Sequence, residues 1–299
     1  MKYYKNCLLK KLFFLLLLCL PALISAQENN EAVTPAPAKE YVKGTFENPV
    51  LINNQTIESN SLKSLEFMIQ HRFGVVKDAK DLYGIYAPAN IRLGLTYGIT
   101  KRISIGAGVT KNKMLYDLQG KVILLKQTKQ KGIPVSVTYY GDVAKSSQDD
   151  DNFLNQESKF KAVNKLSYFH EIIIGRKINS KISLQVSGTY SHFNLIDSIY
   201  GKHDFYGASF VGRYKFSPQS SVLVEYDYLL NVSTIDKDIR PKPNLGIGYE
   251  VSTGSHQFQV FICSAQEIIN QEYRVFNHND FFKGDVLIGF NITREWSFK

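Results

Sequence analysis

Six histidines are the residues of this 299-residue chain best suited to metal ligation or general-base work: His71, His170, His192, His203, His256 and His278. They stand far apart, with no pair at metal-ligand spacing, so no metal site is expected. Cys7 and Cys19 fall in an N-terminal leader, which leaves Cys263 alone and excludes an intramolecular disulfide or a thiolate metal site. Gly94, Gly98, Gly106 and Gly108 invite comparison with a nucleotide-binding loop, but they sit inside alternating strands with no following helix. A lipid-modifying enzyme would need a Ser, a His and an orienting polar group meeting on a lipid-facing wall. His71 lies on an apolar strand face, and an interfacial histidine at a strand end is the simpler account of it. No catalytic residue and no cofactor is expected.

Charge is the remaining chemistry. In LEFMIQHRFG (65–74), Glu66, Gln70 and Arg72 alternate with Leu65, Phe67, Ile69, His71 and Phe73. A strand sends successive side chains to opposite sides, so one face is oily and the other polar. The same register puts Arg92, Asp117, Lys121, Arg213, Glu225, Asp227 and Glu250 on the polar faces of other strands, with Glu171, Asp285 and Lys215 beside them. These charges nearly balance, seven acids against five bases. Such faces could line a narrow polar lumen, with Arg72 and Arg92 opposite Glu225, Asp227 or Glu250 across water. They could equally form a packed core of ion pairs without a continuous pore.

The elements that carry these residues follow an export leader. Lys2, Lys5, Lys10 and Lys11 precede the apolar run Leu12 to Leu20, and small residues end at Ala26. This has the form of a cleaved signal peptide over residues 1–26, too short in its apolar part to span a membrane. Its loss would leave 32 bases against 27 acids, a net charge of +5 from the full chain's +9. So small and dispersed an excess does not suggest a nucleic-acid partner. Residues 27–45, with EAVTPAPAKE at their centre, read as a flexible periplasmic tether. FENPVLINNQTIESNS (46–61) does not alternate cleanly and reads as a short ordered lead-in.

From Leu65 the dominant period is two, with no long helical segment. Ile91, Leu93, Leu95 and Tyr97 form one apolar set; Ile182, Leu184 and Val186 another; Val286, Ile288, Phe290 and Ile292 the last. Counting in this way gives about twelve strands over residues 46–299, among them 133–143 and 256–264. Short links, such as Thr100-Lys101 and Ser217 to Ser220, alternate with long ones, such as Ala144 to Lys165 and Ala265 to Lys283; only the brief Asn112 to Met114 breaks the order. That layout predicts an all-β fold, a transmembrane up-and-down antiparallel β-barrel with its tight turns at one end. YGITKRISIG, YKFSPQSSVLVEY and YEVSTGSHQFQVF each put a Tyr just ahead of a tight turn, where a membrane boundary favours an amphipathic ring.

The chain resembles an uncharacterised family of Gram-negative, Bacteroidetes-type outer-membrane β-barrels with an HRFG-containing first strand. FENPVLINNQT, LEFMIQHRFG, IRLGLTYGITKRISIGAG, KMLYDLQGKVILLKQ and IPVSVTYYG carry the likeness, which covers most of the first half of the barrel. It implies a fold and a place, the outer membrane, and transfers no catalytic residue. The expected partners are outer-membrane lipid and, during insertion, the barrel-assembly machinery. The first functional expectation is a narrow passive channel for small polar solutes. The second is a closed structural or surface-interaction barrel, with a lipid-modifying enzyme a distant third.

Overall fold

The computed structural model describes residues 40–298 apart from 79, 81, 131 and 150–160. The expected leader, and residues 27–39 of the expected tether, lie outside the described residues. A two-stranded hairpin comes first, β1 (Val50–Leu51) and β2 (Asn54–Gln55). Twelve longer strands follow: β3 (Ser64–Val75), β4 (Asn90–Gly98), β5 (Ile103–Thr110), β6 (Leu115–Leu125), β7 (Ser136–Ser146) and β8 (Leu166–Lys177); then β9 (Ile182–Phe193), β10 (Asp204–Lys215), β11 (Ser220–Leu229), β12 (Asn244–Thr253), β13 (His256–Cys263) and β14 (Leu287–Ser297). Each pairs antiparallel with its chain neighbour, and β14 pairs with β3 to close the barrel.

Alternation decides which face meets which surroundings. Along β3 the even positions from Ser64 to Gly74 are buried and the odd ones partly open. Outward residues such as Leu93, Leu95, Ile105, Leu118, Val186, Ile247 and Val260 form an exposed apolar belt. Inward rows carry Glu66, Arg72, Asp117, Glu225 and Gln259, all buried. A soluble barrel would reverse this order, with the apolar rows inside and the charges in water. Among the described residues no helix is long and apolar enough to cross a membrane; the strands span it.

Three of the tight turns share one local device. Thr100 Oγ1 accepts hydrogen bonds from the amides of Arg102 and Ile103, Asn179 Oδ1 from Lys181 and Ile182, and Ser217 Oγ from Gln219 and Ser220. A short polar side chain opening the turn thus satisfies two amides that the ladder leaves free. Tyr97, Tyr214 and Tyr249 point outward just before turns of this end. The expected strand at 133–143 begins instead at Ser136: Pro134 has no N–H to give a ladder. The Asn112–Met114 link is a single tight turn at the long-loop end, so the breach in link lengths does not disturb the meander.

Two segments turn into the bore. The lead-in enters from the tight-turn end, where Tyr41 bridges Thr128, and its Thr45, Phe46, Leu51, Ile52 and Asn54 are all buried. The β13–β14 loop enters from the opposite end and carries helix α1 (Asn270–Val275), every residue of which is buried. Phe193, Ile196, Tyr200, Phe205, Leu229, Val232 and Ile235 pack with Val275 of this helix into an apolar cap.

Candidate functional site

All ten charged or polar residues read as lumen-lining, Glu66, Gln70, Arg72, Arg92, Asp117, Lys121, Arg213, Glu225, Asp227 and Glu250, lie on the inner wall and are buried. The bore does not bring them together as one group. Asp285 is not among them; it lies in the loop before β14, where it accepts the Asp280 amide at 3.0 Å.

On the β3–β7 side the charges pair within the wall. Arg92 donates two hydrogen bonds to Asp117, at 2.9 and 2.5 Å, and a third to Gln70 Oε1 at 3.1 Å. Bidentate geometry satisfies both carboxylate oxygens, which a buried ion pair needs to offset its desolvation. Gly94 and Gly108 leave the room: a Cβ at either would come within 2.6 Å of the Arg92 guanidinium. Arg92 therefore meets Asp117 on its own wall rather than Glu225, Asp227 or Glu250 across water, and on the neighbouring strand Gln70 opposes it while Arg72 opposes Asn90. Between this wall and the two inserts lies a cavity of about 30 Å³, lined by Glu66, Gln70, Arg92, Asp117, Lys121 and Asp142 of the wall, by Val50 and Asn53 of the hairpin and by Ile268 and Ile269 of the loop, among others. That is room for a water or two.

On the β8–β14 side the hairpin fills the space. Leu51, Ile52 and Ile57 bury against Phe169, Ile173, Val211, Leu223, Phe261 and Leu287. A two-stranded hairpin leaves backbone groups unpaired on both edges, and the wall supplies their partners. Gln259 accepts the Ile52 amide at 3.1 Å and donates to Val50 O at 3.0 Å; Gln185 accepts the Ile57 amide at 3.2 Å and donates to Gln55 O at 2.6 Å. Lys121 Nζ donates to Pro49 O and Glu58 O, at 2.9 and 3.0 Å. At the entrance Glu47 pairs with Lys215 at 2.6 Å and Arg213 at 3.1 Å, and Glu250 accepts from Gln259 at 2.9 Å.

The hairpin tip meets the deepest charges. Ile52 holds φ +54°, an unfavourable conformation for a β-branched residue. Arg72 Nη2 donates to its carbonyl at 3.1 Å, as does Asn291 Nδ2 at 2.8 Å, so the turn is held from the wall. Arg72 touches no carboxylate directly. It donates to Asn53 Oδ1 at 2.8 and 3.2 Å, while Asn53 donates through its amide and Nδ2 to Glu225, at 2.9 and 2.6 Å. Asn53 thus stands between the arginine and the acid. Asn54 and Asn244 bring Glu225 to four donated hydrogen bonds.

From the other end α1 delivers Arg274 and Tyr273. Arg274 Nη2 lies 3.3 Å from Asp227, 3.8 Å from Glu171, 3.1 Å from Ser209 Oγ and 2.8 Å from Asn54 Oδ1. Tyr273 Oη donates to Asn54 and Asp227, each at 3.3 Å. The two inserted segments therefore meet at Asn54. The sequence reading missed Asn53, Asn54, Tyr273 and Arg274. The inward amides Gln185, Gln259, Asn244 and Asn291 were the available signal, because uncharged donor–acceptors facing a lumen suit backbone partners.

A family model described as a membrane bound beta barrel domain (DUF5777) matches residues 46–296, a span that begins with the hairpin. No curated protein matches the chain by sequence. Among solved structures, the KdgM porin aligns at 8% identity and TM-score 0.46, covering 79% of this chain and 99% of its own. The NanC porin aligns at 9% and 0.47, with the same coverage, 79% and 99%. The COG4313 outer membrane channel from Pseudomonas putida F1 aligns at 11% and 0.41, covering 80% and 98%.

Proposed function

The chain belongs to the membrane bound beta barrel domain family, and from that premise we propose that it is an outer-membrane protein serving as a narrow passive channel for small polar solutes. The observation that carries the channel is the contrast across the bore. The hairpin buries its apolar residues mainly against the β8–β14 wall, while toward the β3–β7 wall, which reaches it through Arg72, Lys121 and Thr138, a cavity remains, lined by Glu66, Gln70, Arg92, Asp117 and Lys121 among others. A charged wall beside an anchored filler suits a path along that side, limited to small solutes and widened when an insert moves. In this reading the barrel is exported behind a cleaved signal, inserted by the barrel-assembly machinery of a Gram-negative, Bacteroidetes-type cell, and seated in outer-membrane lipid. It is not an enzyme.

Refolded protein in a planar bilayer should give stepwise single-channel currents. Silence at all voltages would instead support a closed barrel acting through its outer loops, a reading favoured by the apolar cap over the long-loop end. Orientation is tested separately: Lys237→Cys should react with a membrane-impermeant label on intact cells and Thr253→Cys should not.

A further inference from the structure

Deep in the bore, three carboxylates gather on strands that are not adjacent: Glu171 on β8 and the pair Glu225 and Asp227 on β11. Arg72 stands behind Asn53, so the cation that touches Asp227 belongs to the inserted loop. Its guanidinium also lies over the Phe169 ring, 4.8 Å from the centroid, with Tyr273 of its own helix at 4.4 Å. Carboxylates, a hydroxyl, an amide oxygen and an aromatic face converging on a planar cation are the parts of a cation-binding site.

The fit of Arg274 to that site is incomplete. Glu171 Oε1 accepts from Ser187 at 2.5 Å, but Glu171 Oε2 is buried without a hydrogen-bond partner, and so is Arg274 Nε. Both residues are almost wholly buried. An unmet carboxylate oxygen in a closed interior is costly, and a side chain evolved only to neutralise this wall would leave no acceptor spare. The wall thus offers one carboxylate oxygen, Glu171 Oε2, that its present occupant does not use.

We propose that Glu171, Asp227, Ser209 and the ring of Phe169 form a binding site for a small organic cation bearing a guanidinium or primary ammonium group, which Arg274 occupies in this conformation. The loop is then a tethered competitor: solute binds when α1 withdraws, and α1 returns when solute leaves. This names the solute class for the channel and so rests on the channel reading, but the site can be tested without current.

The test is calorimetry of refolded protein in detergent micelles, titrated with methylguanidinium at millimolar concentration. The Arg274→Ala variant should bind it, wild type should bind at least tenfold more weakly because the loop competes, and adding Glu171→Gln to Arg274→Ala should weaken binding again. Folding is monitored by heat-modifiable mobility. If Arg274→Ala reaches the folded form only when methylguanidinium is present, that rescue supports the site equally; if it folds in neither condition, or folds and binds nothing, the site is overturned. Binding by Arg274→Ala in a barrel that never conducts would sink the channel reading and leave the site standing. A conducting barrel with no binding would do the reverse.

Discussion

The two inserted segments fill one bore by different means. The hairpin is held largely through its backbone, by wall side chains that reach Val50, Ile52, Gln55, Ile57 and Glu58, and by three apolar residues of its own. The loop is held largely through charged side chains, Arg274 at Asp227 and Glu272 at Lys113, the latter at 2.5 Å. Backbone anchoring spreads over many partners, so no single change releases the hairpin. Side-chain anchoring falls to single groups, and in the loop Arg274 and Glu272 carry the charged contacts while Asn270, Gln271 and Val275 add bonds to Tyr140 and Ser167 and an apolar contact in the cap. The hairpin is therefore the fixed filler and the loop the part able to leave.

The largest effect should come from removing the fixed filler. Deleting residues 47–60 leaves the barrel strands and their closure intact and opens the side of the bore that Leu51, Ile52 and Ile57 now block. Single-channel conductance should rise several-fold with heat-modifiable folding retained. Unchanged conductance in the deleted variant would mean that the hairpin does not set the bore, and the two inserts would have to exchange roles.

Next come the anchors. Glu225→Ala strips the acceptor from Asn53, Asn54 and Asn244 and leaves Arg72 without its relayed counter-charge. Buried donors left unsatisfied cost about 1–3 kcal/mol each, and a broken buried charge pair about 3–5 kcal/mol. The variant should lose at least about 3 kcal/mol in urea unfolding of the micellar barrel. Ser209→Ala, which removes one acceptor of Arg274, should lose only about 1 kcal/mol. Equal losses would erase the distinction between a hairpin gripped by the wall and a loop resting on it.

Asn54 tests the join. It accepts from Arg274 and Tyr273 of the loop while donating to Glu225 and Asp227, whereas Asn53 bonds only to the wall. A double-mutant cycle of Asn54→Ala with Arg274→Ala should give a coupling of about 1 kcal/mol, and the same cycle with Asn53→Ala should give less than about half of that. Equal couplings would mean that the inserts communicate through the wall rather than at their contact.

Legibility in the sequence divides along the same line. The twelve strands, their faces and the tight-turn end could be read from LEFMIQHRFG, from IRLGLTYG and from alternating link lengths, because period two is local. The inward position of Arg92 was legible; its bidentate Asp117 on β6 was not, since register between strands is no property of either strand alone. The hairpin was read as a lead-in because VLINNQ buries both faces inside a bore and so shows no alternation. Helix α1 is six residues long, too short to show a helical period. Its partners lie on β8, β10 and β11, far away in sequence.

The smallest effect separates the inserts by pH. Glu267 sits in the loop, half-buried, accepting from Asn112 and, at 3.3 Å, from Asn90, with Lys113 and the like-charged Glu272 nearby. Burial pushes its carboxyl up to about 7 from an ordinary 4.5, with Glu272 adding to the rise and Lys113 and Asn112 opposing it. Swung out into water, the loop would return the group to its ordinary value. Between the two values the inserted loop holds a proton that the withdrawn loop has lost, so falling pH favours insertion and rising pH favours withdrawal. Stability of the inserted state is fully present below the lower value and diminishes until pH passes the higher one. Because the group is partly open to solvent, the change in open probability should be a few-fold, well short of the full shift. Currents recorded at pH 5 and pH 8 should show more opening at pH 8, in wild type and in the hairpin-deleted variant alike, and Glu267→Gln should flatten the dependence. A pH response that survives Glu267→Gln but disappears with the hairpin would move the mobile element to the other end of the bore.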